Sequence, residues 1–113
     1  MTILVGNWVW KIKMVSWNDD RLIDRTGERT LGVTDVLRHT VYLDETLSGQ
    51  LFEKVFLHEL GHCIMASYGY LNDLHRIVPA EYWFEAEERL CNFLANHSME
   101  VVRILKRLHY EEV

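Results

Sequence analysis

The sequence holds one proline, two cysteines and no long apolar run, and each shortage removes a class of protein. Cys63 and Cys91 alone cannot make the disulfide framework of a small secreted scaffold, so a reducing compartment is the simpler expectation. No apolar stretch approaches the roughly 20 residues of a membrane-spanning helix. Residues Met1–Asn7 carry no basic region ahead of their short apolar stretch, and Lys11 and Lys13 fall behind it, which is not signal-peptide order. The expected location is the cytoplasm. Positive charge is also scarce. Lys and Arg number 12 against 17 Asp and Glu, a formal net charge of −5. A general binder of nucleic acid or of an anionic membrane needs a basic face, so neither is expected as a partner. With no linker, repeat or low-complexity stretch, the 113 residues are expected to form a single domain, 1–113.

What is present divides into a strand-rich first part and a helical second part. Trp8–Val15 alternates between apolar and polar residues from Trp10 to Met14 and is rich in β-formers, which predicts a strand. Asn18–Asp20 and Arg25–Glu28 are turn chemistry. Thr30–Thr34 predicts a second short strand, Asp35–Arg38 a turn, and His39–Leu43 a third strand in which Thr40, Tyr42 and Asp44 share a face. The expectation is a small, mostly antiparallel sheet of about three strands. From Leu51 the period changes: Leu51, Phe52, Val55, Phe56, Leu60 and Ile64 recur at helical spacing, with Ser48 as N-cap and Gly69 as stop, which predicts a helix over about 49–68. Tyr70–Ile77 fits either a loop or a short helix. Pro79 suits a first helical turn, and Glu81, Glu85, Glu87 and Glu88 place negative charge near a helix N-terminus. Trp83, Leu90, Leu94, Val101, Leu105 and Leu108 then form one stripe, predicting a second helix over about 80–109 with a possible break at Asn96–Ser98. The fold class is therefore α+β.

Within the first predicted helix, His58-Glu59-Leu60-Gly61-His62 reads H-E-x-x-H. Residues four apart on a helix lie on one face, so both imidazoles reach one cation, and neutral imidazole is a common zinc ligand. Glu59 lies about 60 degrees round the helix from His62, beside the metal position and not on it. There it can act as general base toward a water whose pKa zinc lowers to about 7. Gly61 costs a helix about 1 kcal/mol relative to alanine, which suggests close packing against another backbone.

A catalytic zinc site needs a third protein ligand and an open position. A further histidine does not follow the motif, since position 65 is Met and position 68 is Tyr. The acidic head of the second helix offers Glu85, Glu87 and Glu88. Glu87 lies near the centre of the apolar stripe and Glu88 toward its edge. A carboxylate among apolar neighbours is costly unless paired or metal-bound, and periodicity mildly favours Glu87.

His58-Glu-Leu-Gly-His62 followed by Glu88-Arg-Leu-Cys91-Asn92-Phe93-Leu94-Ala95 resembles the ImmA/IrrE-like zinc metallopeptidases of the gluzincin group. Members pair H-E-x-x-H on one helix with a pattern like E-x-x-A-N-x-F-A on a later one, whose first Glu is the third ligand. Matched residue by residue, the resemblance implies Glu88 as that ligand, with Cys91 at the small position. Phe93 directly follows Asn92, where the pattern spaces them by one residue. Leu31–Leu43 also looks like small phage or prophage proteins of this type. The resemblance covers roughly residues 29–98. It implies a minimal zincin-like domain, a zinc cofactor held by His58, His62 and Glu88, and hydrolysis of a specific protein or peptide partner.

His75, Tyr68, Tyr70, Tyr82 and His97 are oxyanion-donor candidates by residue type alone. Cys63, Cys91, Trp8, Trp10 and Trp17 read as packing residues. The expected function is that of a zinc-dependent metalloendopeptidase with Glu59 as general base. The alternative is a non-catalytic zinc-binding regulatory protein that keeps the H-E-x-x-H helix. Thr40–Leu43 is a candidate edge strand for an extended peptide.

Overall fold

A computed structural model describes residues 1–111, with side chains through residue 109. Strands β1 (Thr2–Val5), β2 (Trp8–Val15), β3 (Gly32–Asp35) and β4 (Thr40–Asp44) precede helices α1 (Gly49–Ser67), α2 (Tyr70–Ile77) and α3 (Trp83–Glu111). The domain is α+β, as expected, but its sheet has four strands in the order β1-β2-β4-β3 and is mixed. β1 pairs antiparallel with β2 and β3 antiparallel with β4, while β2 and β4 run parallel, with Ile12 opposite Val41 and Met14 opposite Leu43. The parallel pair arises because β2 ends and β3 begins at the same end of the sheet, so that β3 carries the chain back before β4 begins.

β4 is not an edge strand. It lies between β2 and β3, and all five of its residues are buried. Val41 and Leu43 point with Trp10, Ile12 and Cys63 into the core beneath α1. Tyr42 points the other way, onto Val15 and Leu22, where the 3₁₀ turn Asp20–Leu22 covers the back of the sheet. The edge that faces the helices is β3. Gly32 of β3 lies against the side chains of Val55 and Glu59 on α1.

α1 follows the expected span closely. Ser48 sits at its N-cap with extended backbone, and Gly69 after it takes the left-handed conformation (φ 78°) that lets α2 start at once. The apolar N-terminal half of α1 lies on the sheet through Phe52, Val55 and Phe56. The far end is tied down by the Trp10 indole, whose Nε1–H donates to Ser67 Oγ at 2.9 Å. Tyr70–Ile77 is a helix, and its Leu71 and Leu74 cover Trp83 and Ala86 of α3. A 3₁₀ turn at Ala80–Tyr82 leads into α3, which runs unbroken through Asn96–Ser98. Among the described residues, no helix is long and apolar enough to cross a membrane.

α1 and α3 approach closely at Gly61. A Cβ placed there would lie 3.0 Å from Cys91 Sγ and 3.2 Å from Cys91 Cα, so backbone meets backbone. Gly61→Ala gains about 1 kcal/mol of helix propensity. Overpacking that pushes two backbones apart costs about 1–3 kcal/mol. The expected net result is a lower midpoint in urea unfolding and loss of metal affinity in the same variant. A more stable Gly61→Ala protein would mean that the helices do not meet as described.

Candidate metal centre

The H-E-x-x-H turn of α1 faces the second turn of α3 across the Gly61–Cys91 contact, and this brings His58, His62 and Glu88 together. One ligand atom from each lies within 4.8 Å of the others. Glu88 Oε2 is 3.1 Å from His58 Nε2, Glu88 Oε1 is 3.2 Å from His62 Nε2, and the two Nε2 atoms are 3.3 Å apart.

The outward nitrogens determine what these inward atoms are. His58 Nδ1–H donates to Asn92 Oδ1 at 2.8 Å, and His62 Nδ1–H donates to Glu87 Oε1 at 2.7 Å. Nε2 of each ring therefore faces Glu88 with its proton and becomes an acceptor once that proton is lost, the tautomer a metal ligand needs. Two imidazole nitrogens and a carboxylate facing one another at about 3 Å call for positive charge between them, supplied by protons on the rings or by a metal ion. This donor set fits a divalent metal ion.

Glu87 and Glu88 are consecutive, about 100 degrees apart on the helix, and they divide the work. Glu88 faces the imidazole nitrogens. Glu87 sits behind His62, buried, with its other oxygen accepting from Arg25 Nη2 at 2.9 Å. The Arg25 guanidinium also stacks over Phe84, which ties the loop before β3 to α3. The preference that periodicity gives Glu87 therefore has a physical basis, since Glu87 is the more buried of the pair. It is the partner of a ligand and not a member of the triad. Glu85 pairs with Arg89 on the exposed side of the helix.

Glu59 is buried on the β3 side of the site. Thr34 Oγ1–H donates to its Oε1 at 2.9 Å, and its Oε2 lies 3.9 Å from His58 Nε2, nearer the ligand cluster than bonded to it. Burial pushes the Glu59 carboxyl above its ordinary value, and the two imidazoles and Thr34 offset this only in part. For Glu88, hydrogen bonds to His58 and His62 outweigh burial and hold the carboxyl well below the carboxylate range. Burial opposes charge on His62, but Cys91, Glu87 and Glu88 outweigh it and push its pKa up to about 12. His58 is raised too, its burial being outweighed by Glu88 and Glu59. The cluster thus attracts positive charge, either as protons on the imidazoles or as a metal ion.

The site opens into a cleft of about 1320 Å³ bounded by β3, α1, α3 and the loop carrying Arg25. None of His75, Tyr68, Tyr70, Tyr82 or His97 lines it. His75 stacks on Trp83 at 4.0 Å between ring centroids and serves packing. Cys63 lies on the opposite side of α1, in the sheet core, where burial pushes its thiol up to about 12. Trp10 is buried there, Trp8 stacks on His39, and Trp17 is exposed away from the site. Thr34 and Arg25 carry no mark in the sequence that links them to the motif. Asn92 does carry one, since it lies one helical turn after Glu88.

Metal and protons compete for the same nitrogens. Both imidazoles must be unprotonated to serve as ligands, and both hold protons more tightly than a free histidine of pKa 6.5. Metal binding near neutral pH is therefore expected to release protons, and affinity to fall as pH falls. Titration in weak buffer with a pH electrode reads the release, and affinity that does not change with pH would contradict it. In chelator competition, Glu87→Gln is expected to weaken the metal about 10–100-fold, the usual cost of losing a ligand's hydrogen-bond partner, while Glu88→Ala loses it altogether. Comparison with known proteins returns no relative: no family model, curated protein or solved structure matches the chain.

Proposed function

We propose that the protein is a zinc-dependent metallopeptidase with a minimal zincin-like arrangement, in which His58, His62 and Glu88 hold zinc and Glu59 is the general base. The observation that carries this reading is the position of Glu59. A purely structural site has no use for a further buried carboxylate beside its three ligands, desolvated and oriented by a threonine. Two nitrogens and one carboxylate oxygen match the ligand set of catalytic zinc, with a further position facing the cleft. When bound, zinc lowers the pKa of water and polarises a carbonyl.

The chain's own residues supply the rest. Thr34 engages Glu59 Oε1, which leaves Oε2 to accept the proton of the attacking water. The raised pKa of Glu59 suits it to hold that proton and deliver it to the amine nitrogen of the leaving peptide. Asn92 and Glu87 keep the rings fixed throughout, so the ligands need no reorganisation. β3, the sheet edge along the cleft, can pair with an extended segment of a protein or peptide substrate by strand addition.

Glu59→Gln removes the base and keeps the side chain's shape. The variant is expected to retain one zinc per chain and to lose roughly 10²–10⁴-fold in cleavage rate. A peptide library read by mass spectrometry supplies the substrate. If wild type binds zinc but cleaves no peptide in that library or among cellular proteins, the non-catalytic zinc-binding reading replaces this one.

A further inference from the structure

α3 does more than carry Glu88. Its apolar stripe is covered by α2 at the start, where Leu71 and Leu74 meet Trp83 and Ala86, and by α1 at Leu94, which packs against Gly61. Beyond that the helix leaves the body of the domain, and every residue from Met99 to His109 is exposed. A helical segment of this length is marginal in water unless its apolar face is buried. Past Leu94, His97, Val101, Ile104 and Leu108 follow one another at steps of four, three and four, the spacing of a helix-on-helix seam. Val101 and Ile104 are each more than half exposed.

We propose that this face docks against the same face of a second copy of the chain, with the two α3 helices antiparallel. Charge chooses the occupant and the direction. Glu100 and Arg107 lie one heptad apart on the same flank of the seam. In an antiparallel pair centred between Val101 and Ile104, Glu100 of each copy meets Arg107 of the other, giving two opposite-charge contacts. The core then sets Val101 against Ile104 and His97 against Leu108. A parallel pair would place Glu100 beside Leu105 and match no charge. An anionic membrane fits less well, because Glu100 sits at the edge of the apolar face and the whole chain is at −5. The pairing leaves the cleft open, because Glu88 and Asn92 lie on the opposite side of α3 from the seam, about 160 degrees round the helix from Leu90.

Sedimentation velocity over a concentration series tests the proposal on the full chain. Wild type is expected to pass from monomer to dimer. Glu100→Arg and Arg107→Glu each replace two attractions by two repulsions and are expected to raise the dissociation constant about tenfold or more. The double variant Glu100→Arg/Arg107→Glu exchanges the charges and is expected to restore the dimer. Circular dichroism checks that the helix persists, and zinc content serves as a fold readout independent of the seam. A wild type that stays monomeric up to about 1 mM overturns the proposal. So does a double variant no better than the singles, or a monomeric wild type that instead binds phosphatidylserine vesicles.

Discussion

Everything at the candidate metal centre depends on how closely α1 can approach α3. The two histidines belong to one helix and the carboxylate to another, so local sequence positions only two of the three ligands. The third is set by helix packing, and packing is set where Gly61 lies against Cys91. Gly61 lies between the histidines in sequence, and Cys91 lies one turn beyond Glu88. This close contact is therefore within one helical turn of every candidate ligand. A side chain at Gly61 would move Glu88 away from both imidazoles together.

The same contact decides which glutamate does what. Consecutive residues on α3 point in directions about 100 degrees apart, so only one of Glu87 and Glu88 can face the two Nε2 atoms. The other passes behind His62, where its cost of burial is offset by an imidazole N–H on one oxygen and by Arg25 on the other. Among the described residues no buried side-chain nitrogen or oxygen lacks a partner, so the concentration of charge is satisfied internally. Thr34 brings the sheet into this network. Its hydroxyl reaches Glu59 from the edge strand, while Gly32 two residues earlier leaves room for the Glu59 side chain. Glu59, the proposed base, is thus held from the sheet, and the three candidate ligands are held from the two helices.

The parts of this arrangement that local periodicity governs were legible in the sequence. The α1 span, its stop at Gly69, the meaning of Gly61 and the shared face of His58 and His62 all follow from the helical repeat and from glycine's small size. Three features were not. β1 is too short to show a pattern of its own, and it forms by closing a hairpin onto β2. Whether β2 and β4 pair parallel or antiparallel depends on the route taken by residues 16–31, which no alternation in either strand encodes. The roles of Glu87 and Glu88 needed the angle at which α3 meets α1. Burial alone picks Glu87, and only the resemblance to a known motif pointed to Glu88. Arg25 lies far from the motif in sequence and reaches it through its ion pair with Glu87 and its stacking on Phe84.

α3 shows where the needs of the site stop. Its last residue along the cleft is Ala95, and the contacts that orient the ligands end at Asn92. The helix nevertheless continues to Glu111, long past anything the domain packs against it. Helix propensity does not account for this length, because Val101, Val102 and Ile104 are β-branched and their positions are solvent-exposed. Neither does solubility, which would favour polar residues along the seam. A repeating apolar face with opposite charges on one flank is the composition of a helix that buries itself against another helix. α3 thus presents two faces related by roughly half a turn: a polar one that brings Glu88 to His58 and His62, where a metal ion could be held, and an apolar one that the proposed second copy would cover.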